Sequence, residues 1–337
     1  MLATPATQNA SRRGLNGRTD LRRSCHHKDP IMLRTWSRFP VLLAVCLVLL
    51  VVSRSSAQTQ LRWKFQQGQV LNQTFQQDMK IAMTIGAQNV NTAMKQTFDG
   101  VWHVGAVDDQ GAAEVVQKFS RVRMTMKAPM GIGFEFDSDS EEPPTGIGVV
   151  LAPTLHAMAK AKFTMKMTPQ GVIEDVQISQ ETLDALKTMP GAEQLGGAFT
   201  QDGLVNMVKQ GSTQFLPEAI QKGRSWTNKL ETKLPQVGKM EALSKLVYAG
   251  PETVDGQTLE RIDVELTTKI VPQEDGTAKV SIKDQSAKGT IYFDNVAGRI
   301  SHSSMIQQMT MSVVVAGNNI QQKIDQKISI RLTPAQN

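Results

Sequence analysis

Five stretches of the chain alternate strictly between apolar and polar side chains. Phe75, Gln77, Met79, Ile81, Met83 and Ile85 fall on one side of an extended segment, with Lys80 and Thr84 on the other. Val122, Met124 and Met126 oppose Arg121, Arg123 and Lys127, and Phe163, Met165 and Met167 oppose Lys162, Thr164 and Lys166. Ile262, Val264, Leu266 and Ile270 oppose Arg261, Asp263 and Glu265; Ile324, Ile328, Ile330 and Leu332 oppose Lys323, Asp325, Lys327 and Arg331. A period of two with one charged face predicts antiparallel strands solvated on one side. Turn chemistry agrees, because 108–111, 168–171, 255–256, 274–276, 294–298 and 317–319 carry Asp, Asn, Pro and Gly between alternating runs.

Helical punctuation is concentrated in the middle. Ser179 is placed to cap a helix carrying Leu183 and Leu186 that ends before Pro190. Thr200 or Asp202 is placed to cap a second, carrying Leu204, Val205 and Val208, that ends at Gly211. A third runs over roughly 151–160, with Leu155 and Met158 on its apolar side. The predicted class is mainly β (α+β): a curved antiparallel sheet or half-barrel meander with a central helical insert. Its parts are a β half over 58–149, the insert with one hairpin over 150–222, and a second β half over 223–337.

A faint repetition runs through both halves. Phe65-Gln-Gln-Gly68-Gln resembles Ile220-Gln-Lys-Gly223-Arg, Val107-Asp-Asp-Gln-Gly-Ala-Ala-Glu114 resembles Val254-Asp-Gly-Gln-Thr-Leu-Glu260, and Met165-x-Met167 before Gly171 resembles Ile291-x-Phe293 before Gly298. Two readings stand, a duplication or recurring hairpin grammar.

Ahead of the alternating region, Met32 to Arg38 is a short basic run, Phe39 to Val52 an unbroken apolar run, and Ser55-Ser56-Ala57 a small-residue site. These are the three parts of a secretory signal peptide over 32–57, and cleavage is expected after Ala57. The apolar run is shorter than the roughly 20 residues of a spanning helix, although retention as an anchor through 39–52 is the alternative. Residues 1–31 are polar and arginine-rich, either a non-native leader upstream of a start at Met32 or a long n-region. The expected location is periplasmic or extracellular.

Removal of the leader changes the charge. Nine of the 37 Lys and Arg and two of the 31 Asp and Glu precede Gln58, leaving 28 basic and 29 acidic residues. That balance gives no electrostatic footprint for nucleic acid or for anionic lipid headgroups, so membrane contact is expected only through an uncleaved leader. Both cysteines, Cys25 and Cys46, leave with it, so no disulfide or thiolate metal site is expected.

Catalytic signatures are missing from the sequence. G-x-S-x-G, S-x-x-K, H-E-x-x-H and a P-loop do not occur. His103, His156 and His302 lie far apart without ligand spacing. Asp137, Asp139 and Glu141 begin like a calcium loop, but Glu142 stands where glycine is needed and Gly148 where glutamate is needed. No catalytic residue, metal or cofactor is therefore assigned.

Methionine is the compositional oddity, with fifteen of seventeen after Ala57 and three M-x-M pairs in alternating runs. The plainest reading is a soft core. The second is a concave apolar cavity for a lipid or other apolar small molecule, lined by Met79, Met83, Met124, Met126, Met165, Met167, Met309 and Met311. Thioether coordination of Cu(I), with Met305 and His302, is a third.

Leu61-Arg-Trp63-Lys-Phe65-x-x-Gly68 with Asn72-x-Thr74, and Gly289-Thr-Ile-Tyr-Phe-Asp294 running to Gly298-Arg-Ile-Ser301, resemble an uncharacterised family of exported proteins from planctomycete-type bacteria. The order of meander, helices and returning meander is also similar to the half-barrel of periplasmic lipoprotein carriers of the LolA/LppX type. These resemblances imply an exported, non-catalytic protein and transfer no catalytic residue. Expected function is therefore the holding of an apolar ligand or lipid in a concave β cavity. The alternatives are a structural or interaction module of the cell envelope, and a hydrolase whose acid or histidine would carry a perturbed pKa.

Overall fold

In the computed structural model the described residues are 58–131, 133–187, 201–210, 212–234, 237–273, 278–315 and 317–335. The leader, both cysteines and the predicted turn at 274–276 lie outside them, as do Pro190 and Thr200. Most of the chain forms long strands: β1 (Val70–Ile85), β2 (Gln88–Val107), β3 (Ala113–Lys127), β4 (Gly133–Asp137), β5 (Lys162–Met167) and β6 (Ile173–Ile178) in the first half. The second half holds β7 (Ser225–Leu234), β8 (Gly238–Val254), β9 (Gln257–Pro272), β10 (Ala278–Asp294), β11 (Arg299–Val315) and β12 (Asn318–Pro334). Helices α1 (Gly148–Ala159), α2 (Gln180–Lys187) and α3 (Gln201–Gln210) lie between β4 and β7.

All twelve strands join one antiparallel sheet in the order β6-β5-β3-β2-β1-β12-β11-β10-β9-β8-β7, with β4 beside the far part of β3. The sheet is open, and its edges are β6 and β7. The predicted hairpin at 162–178 therefore extends the main sheet rather than standing apart in an insert. The two halves meet at β1 and β12, which pair from Leu71↔Pro334 to Ile85↔Ile320.

The alternation sorts as predicted. Odd residues of β1 and even residues of β12 share a face with Val122, Met165, Ile262 and Ile291, and the intervening charges face outward. One core cluster takes a residue from each of these eleven strands, among them Leu71, Val115, Met165, Trp226, Ile262 and Phe293. A flat sheet of eleven strands spaced about 4.8 Å apart would spread them over roughly 48 Å. The sheet must curl around the cluster, so this face is concave.

The cluster sits at one end of the strands, here the base. Two segments outside the alternation close it. Residues 58–65 and 212–220 cross the opening, paired by Thr59↔Ile220. Trp63 N–H donates to Pro169 O in the β5–β6 turn, Lys64 N–H to Gly298 O in the β10–β11 turn, and Phe215 N–H to Gln170 O. The indole of Trp63 stacks between Phe65 (5.7 Å) and Trp102 (5.9 Å) and meets Phe293 edge-on. Gly171 permits this closure, because at φ +85 a Cβ would stand 2.2 Å from Thr213 O.

The repetition is visible as matched hydrogen bonds. Gly68 N–H donates to Val104 O and Val104 N–H to Gln69 O, while Gly223 N–H donates to Tyr248 O and Tyr248 N–H to Arg224 O. The preceding turns match too, Gln69 N–H to Gln66 O and Arg224 N–H to Gln221 O, each at 2.9 Å. Residues 255–256 make a two-residue hairpin loop with φ +51 and +79, the geometry that Asp-Gly favours.

Ser179 caps α2 as predicted, its Oγ accepting from Thr182 N–H. Helix α1 lays Ala152 and Leu155 over Phe98, Val122, Phe134 and Phe136. Leu183 of α2 and Leu204 of α3 pack together beside Met158 and Ile178.

Candidate functional site

Beyond the base the strands run on, but among the described residues nothing closes the concave face there. Met79, Ile81 and Met83 of β1, Met94 of β2, Ile320 and Ile324 of β12 and Met309, Met311 and Val313 of β11 are half-buried, and Ile85 is 42% exposed. Register places them side by side, with Met79↔Met94, Ile81↔Ile324 and Met309↔Ile324 as cross-strand partners. Of the eight methionines singled out by sequence, Met79, Met83, Met309 and Met311 lie on this open face. Met124 and Met126 are half-buried against the α1 cluster. Met165 and Met167 are 1% exposed inside the base.

Between packed base and open face lies a row of amides. Gln96 of β2 donates to Gln77 of β1, Gln77 Nε2 donates to Gln326 Oε1 of β12 at 2.6 Å, and Gln326 donates to Gln307 of β11. Nearer the base, Trp102 Nε1 and Gln117 Nε2 both donate to Gln73 Oε1, at 2.9 and 2.6 Å. The amides stand among apolar side chains on a face that also carries Thr92 and Gln322, and along the row each accepts from the one before it. Of these amides the sequence pattern named only Gln77, as one member of the inward row of β1. The partnership of Gln77 with Gln326, 249 residues apart, needs the β1–β12 register.

The sheet forks beside this row. The β9–β10 ladder stops at Lys288↔Glu265, although both strands continue. The Gln285 side chain fills the gap, accepting from Thr268 N–H and donating to Thr268 O, both at 2.8 Å. A side-chain amide thus takes the place of a strand.

Most of the charge lies on the outer face, although Glu260, opposite Phe293, shares the inward face and accepts from the Tyr248 hydroxyl. Arg121 forks onto Asp137 through two bonds, and that guanidinium holds the Asp137 carboxyl below the ordinary range. Arg261 bonds Glu252 and Asp263, and Tyr292 donates to Glu252. The Glu252 pKa is lowered, chiefly by Arg261. Tyr292 also stacks on His302 at 4.7 Å, and burial, then Arg331, pushes the imidazole pKa down. Burial and the bond to Glu260 push Tyr248 up to about 12, which keeps this base residue neutral.

Depressions of about 470 and 500 Å3 adjoin on the outer face and share Val247, Arg261 and Asp263. Arg261 is engaged there with Glu252 and Asp263, while Lys222, Lys245, Glu265 and Lys288 also line the depressions. Outward charge and inward apolar faces are the reverse of the lipid-facing pattern of a membrane barrel.

Residues 110–329 match the model of a family described as of unknown function, DUF6263. No curated protein matches the chain. Similar solved structures include the β domain of the Bordetella autotransporter Brka, 8% identical, with a TM-score of 0.25 over 76% of this chain and 98% of that one. DynF from the dynemicin biosynthesis pathway of Micromonospora chersina is 8% identical, with 0.17 over 81% and 85%. A DUF1329 family protein from Desulfovibrio piger is 9% identical, with 0.13 over 75% and 83%. Likeness at this level carries no argument about fold or function.

Proposed function

The chain belongs to DUF6263, a family of unknown function, and on that premise we propose an exported, non-catalytic protein that holds an apolar ligand on the concave face of its sheet. The observation that carries the reading is the contrast along single strands. The same apolar face that is sealed at Leu71 and Leu332 is half-exposed at Met79, Met83, Ile324 and Met309. Apolar surface of this kind is costly in water unless something covers it. Methionine suits an adaptable lining, being unbranched and polarizable.

A second reading, an interaction module of the cell envelope, is favoured by Ile306, an isoleucine 61% exposed on the outer face. Native mass spectrometry of the protein purified from its own host, followed by organic extraction, separates the two. A co-purifying lipid or other apolar molecule is expected. A clean apo mass, with no uptake of added lipid, would overturn the carrier reading and leave the module. N-terminal sequencing of the same sample is expected to begin at Gln58; a start upstream of Phe39 would contradict export by cleavage.

A further inference from the structure

The two edges of the sheet are not alike. Strand β6 is six residues long, its pairing with β5 slips between Thr164 and Lys166, Asp175 stands at φ +48, and α3 packs chiefly on it. A short, irregular, covered edge resists further pairing. Strand β7 has ten residues, no proline and an unbroken register with β8, from Ser225↔Val247 to Leu234↔Gly238. It is the last strand of the order, so its other side meets no strand. An edge of that length and regularity is a template for another strand.

Lysines along an edge ordinarily repel a second copy. On the outer face of β7, however, charge alternates as Lys229, Glu231 and Lys233. Set antiparallel against itself about Leu230, the strand overlaps over 226–234 and places Lys229 opposite Glu231 of the second copy, twice over by symmetry. Sliding the copies by two residues brings Lys229 against Lys229 in one direction and Glu231 against Glu231 in the other. Charge therefore selects a single register. Glu231 also gains from a further cation, because β8 sets Glu241 directly opposite it, and Lys229 and Lys239 already bridge the two carboxylates.

We propose that β7 is the interface of a twofold-symmetric dimer and that its partner is a second copy of this chain. In the selected register even-numbered residues meet even-numbered residues. Trp226, a core residue, places that set on the concave side, so the concave faces of the two copies run on into one another. The inference goes beyond the apolar-ligand reading and stands whether or not a ligand is bound. A single pair of strands is a small interface, so the dimer is expected to dissociate on dilution.

The test is sedimentation velocity over a wide concentration range on the protein expressed in its own host, expected to show a monomer–dimer equilibrium. Lys229→Glu and Glu231→Lys are each expected to weaken self-association at least about tenfold, because each sets like charges opposite one another at both symmetric positions. Mixed together, the two variants present Glu against Lys at both positions, and their heterodimer is expected to regain the lost affinity. A folding defect in either variant would not produce that recovery. A wild type that stays monomeric throughout, a dimer indifferent to both substitutions, or a mixture of the variants that stays monomeric would each overturn the β7 interface.

Discussion

The two ends of the strands obey one alternation and reach opposite outcomes. At the base, Val115, Ile262 and Phe293 are fully buried, while Met79, Met83 and Met309 on the same face stay half-exposed. Composition contributes: the base is closed by stacked aromatic rings, and the far face carries methionine, isoleucine and glutamine. The larger cause lies outside the strands, in segments 58–65 and 212–220, which bridge the opening at one end only. A strand's inward pattern therefore says which side faces inward. It does not say whether anything fills that side.

Substitution at the base should show the largest effect. Trp63→Ala removes a ring stacked on Phe65 and Trp102, and is expected to cost about 3–5 kcal/mol in a urea titration. A loss below roughly 1 kcal/mol would mean that the closure does not hold the base. Gly171→Ala should follow at roughly 2–3 kcal/mol, because it strains φ and drives a Cβ into Thr213 O. Gly86→Ala at the far β1–β2 turn has a positive φ but open space, so a loss near 1 kcal/mol is expected there. Equal losses at the two glycines would remove the contrast between ends.

The fork gives an intermediate case. Gln285→Leu strips Thr268 of two bonds in a residue 7% exposed, an expected loss of about 1–2 kcal/mol by thermal unfolding. Smaller still, Met79→Gln with Met309→Gln should change stability by less than about 1 kcal/mol while weakening uptake of dodecane at least tenfold. A large destabilisation would make the far face an ordinary core.

Several of these features were legible in the sequence. Alternation assigned the faces of β1, β3, β5, β9 and β12, and Ser179 marked the start of α2. The resemblance between Phe65–Gly68 and Ile220–Gly223 pointed to two turns with matching hydrogen bonds. What was hidden depends on pairing between distant segments. The β1–β12 junction and the bond from Gln77 to Gln326 require register between opposite ends of the chain. The fork is hidden for another reason, since β9 and β10 keep their alternation past the point where their ladder stops. The base closure carries no periodicity and is recognisable only from its contacts.

Acid should act on the outer face and spare the contrast. Arg121 lowers the Asp137 pKa, and Lys229 and Lys239 lower that of Glu231, so the unfolded chain binds more protons just below the ordinary values of 3.8 and 4.5. Their contribution is present above about pH 4.5 and is lost as pH falls through that window. His302, held below its ordinary 6.5 by burial, adds a loss as pH falls through 6.5 toward its lowered value. Melting temperatures measured from pH 7 to 3.5 should decline in two shallow steps; a rise on acidification would reverse the assigned signs.

Methionine oxidation tests the central contrast most directly, because one reagent reads both ends of the sheet. After brief peroxide treatment of delipidated protein and peptide mass spectrometry, Met79, Met83, Met309 and Met311 are expected as sulfoxides while Met165 and Met167 stay intact. Bound dodecane should protect the first four. Oxidation of all six at one rate, or no protection by ligand, would contradict an open apolar face beyond a sealed base.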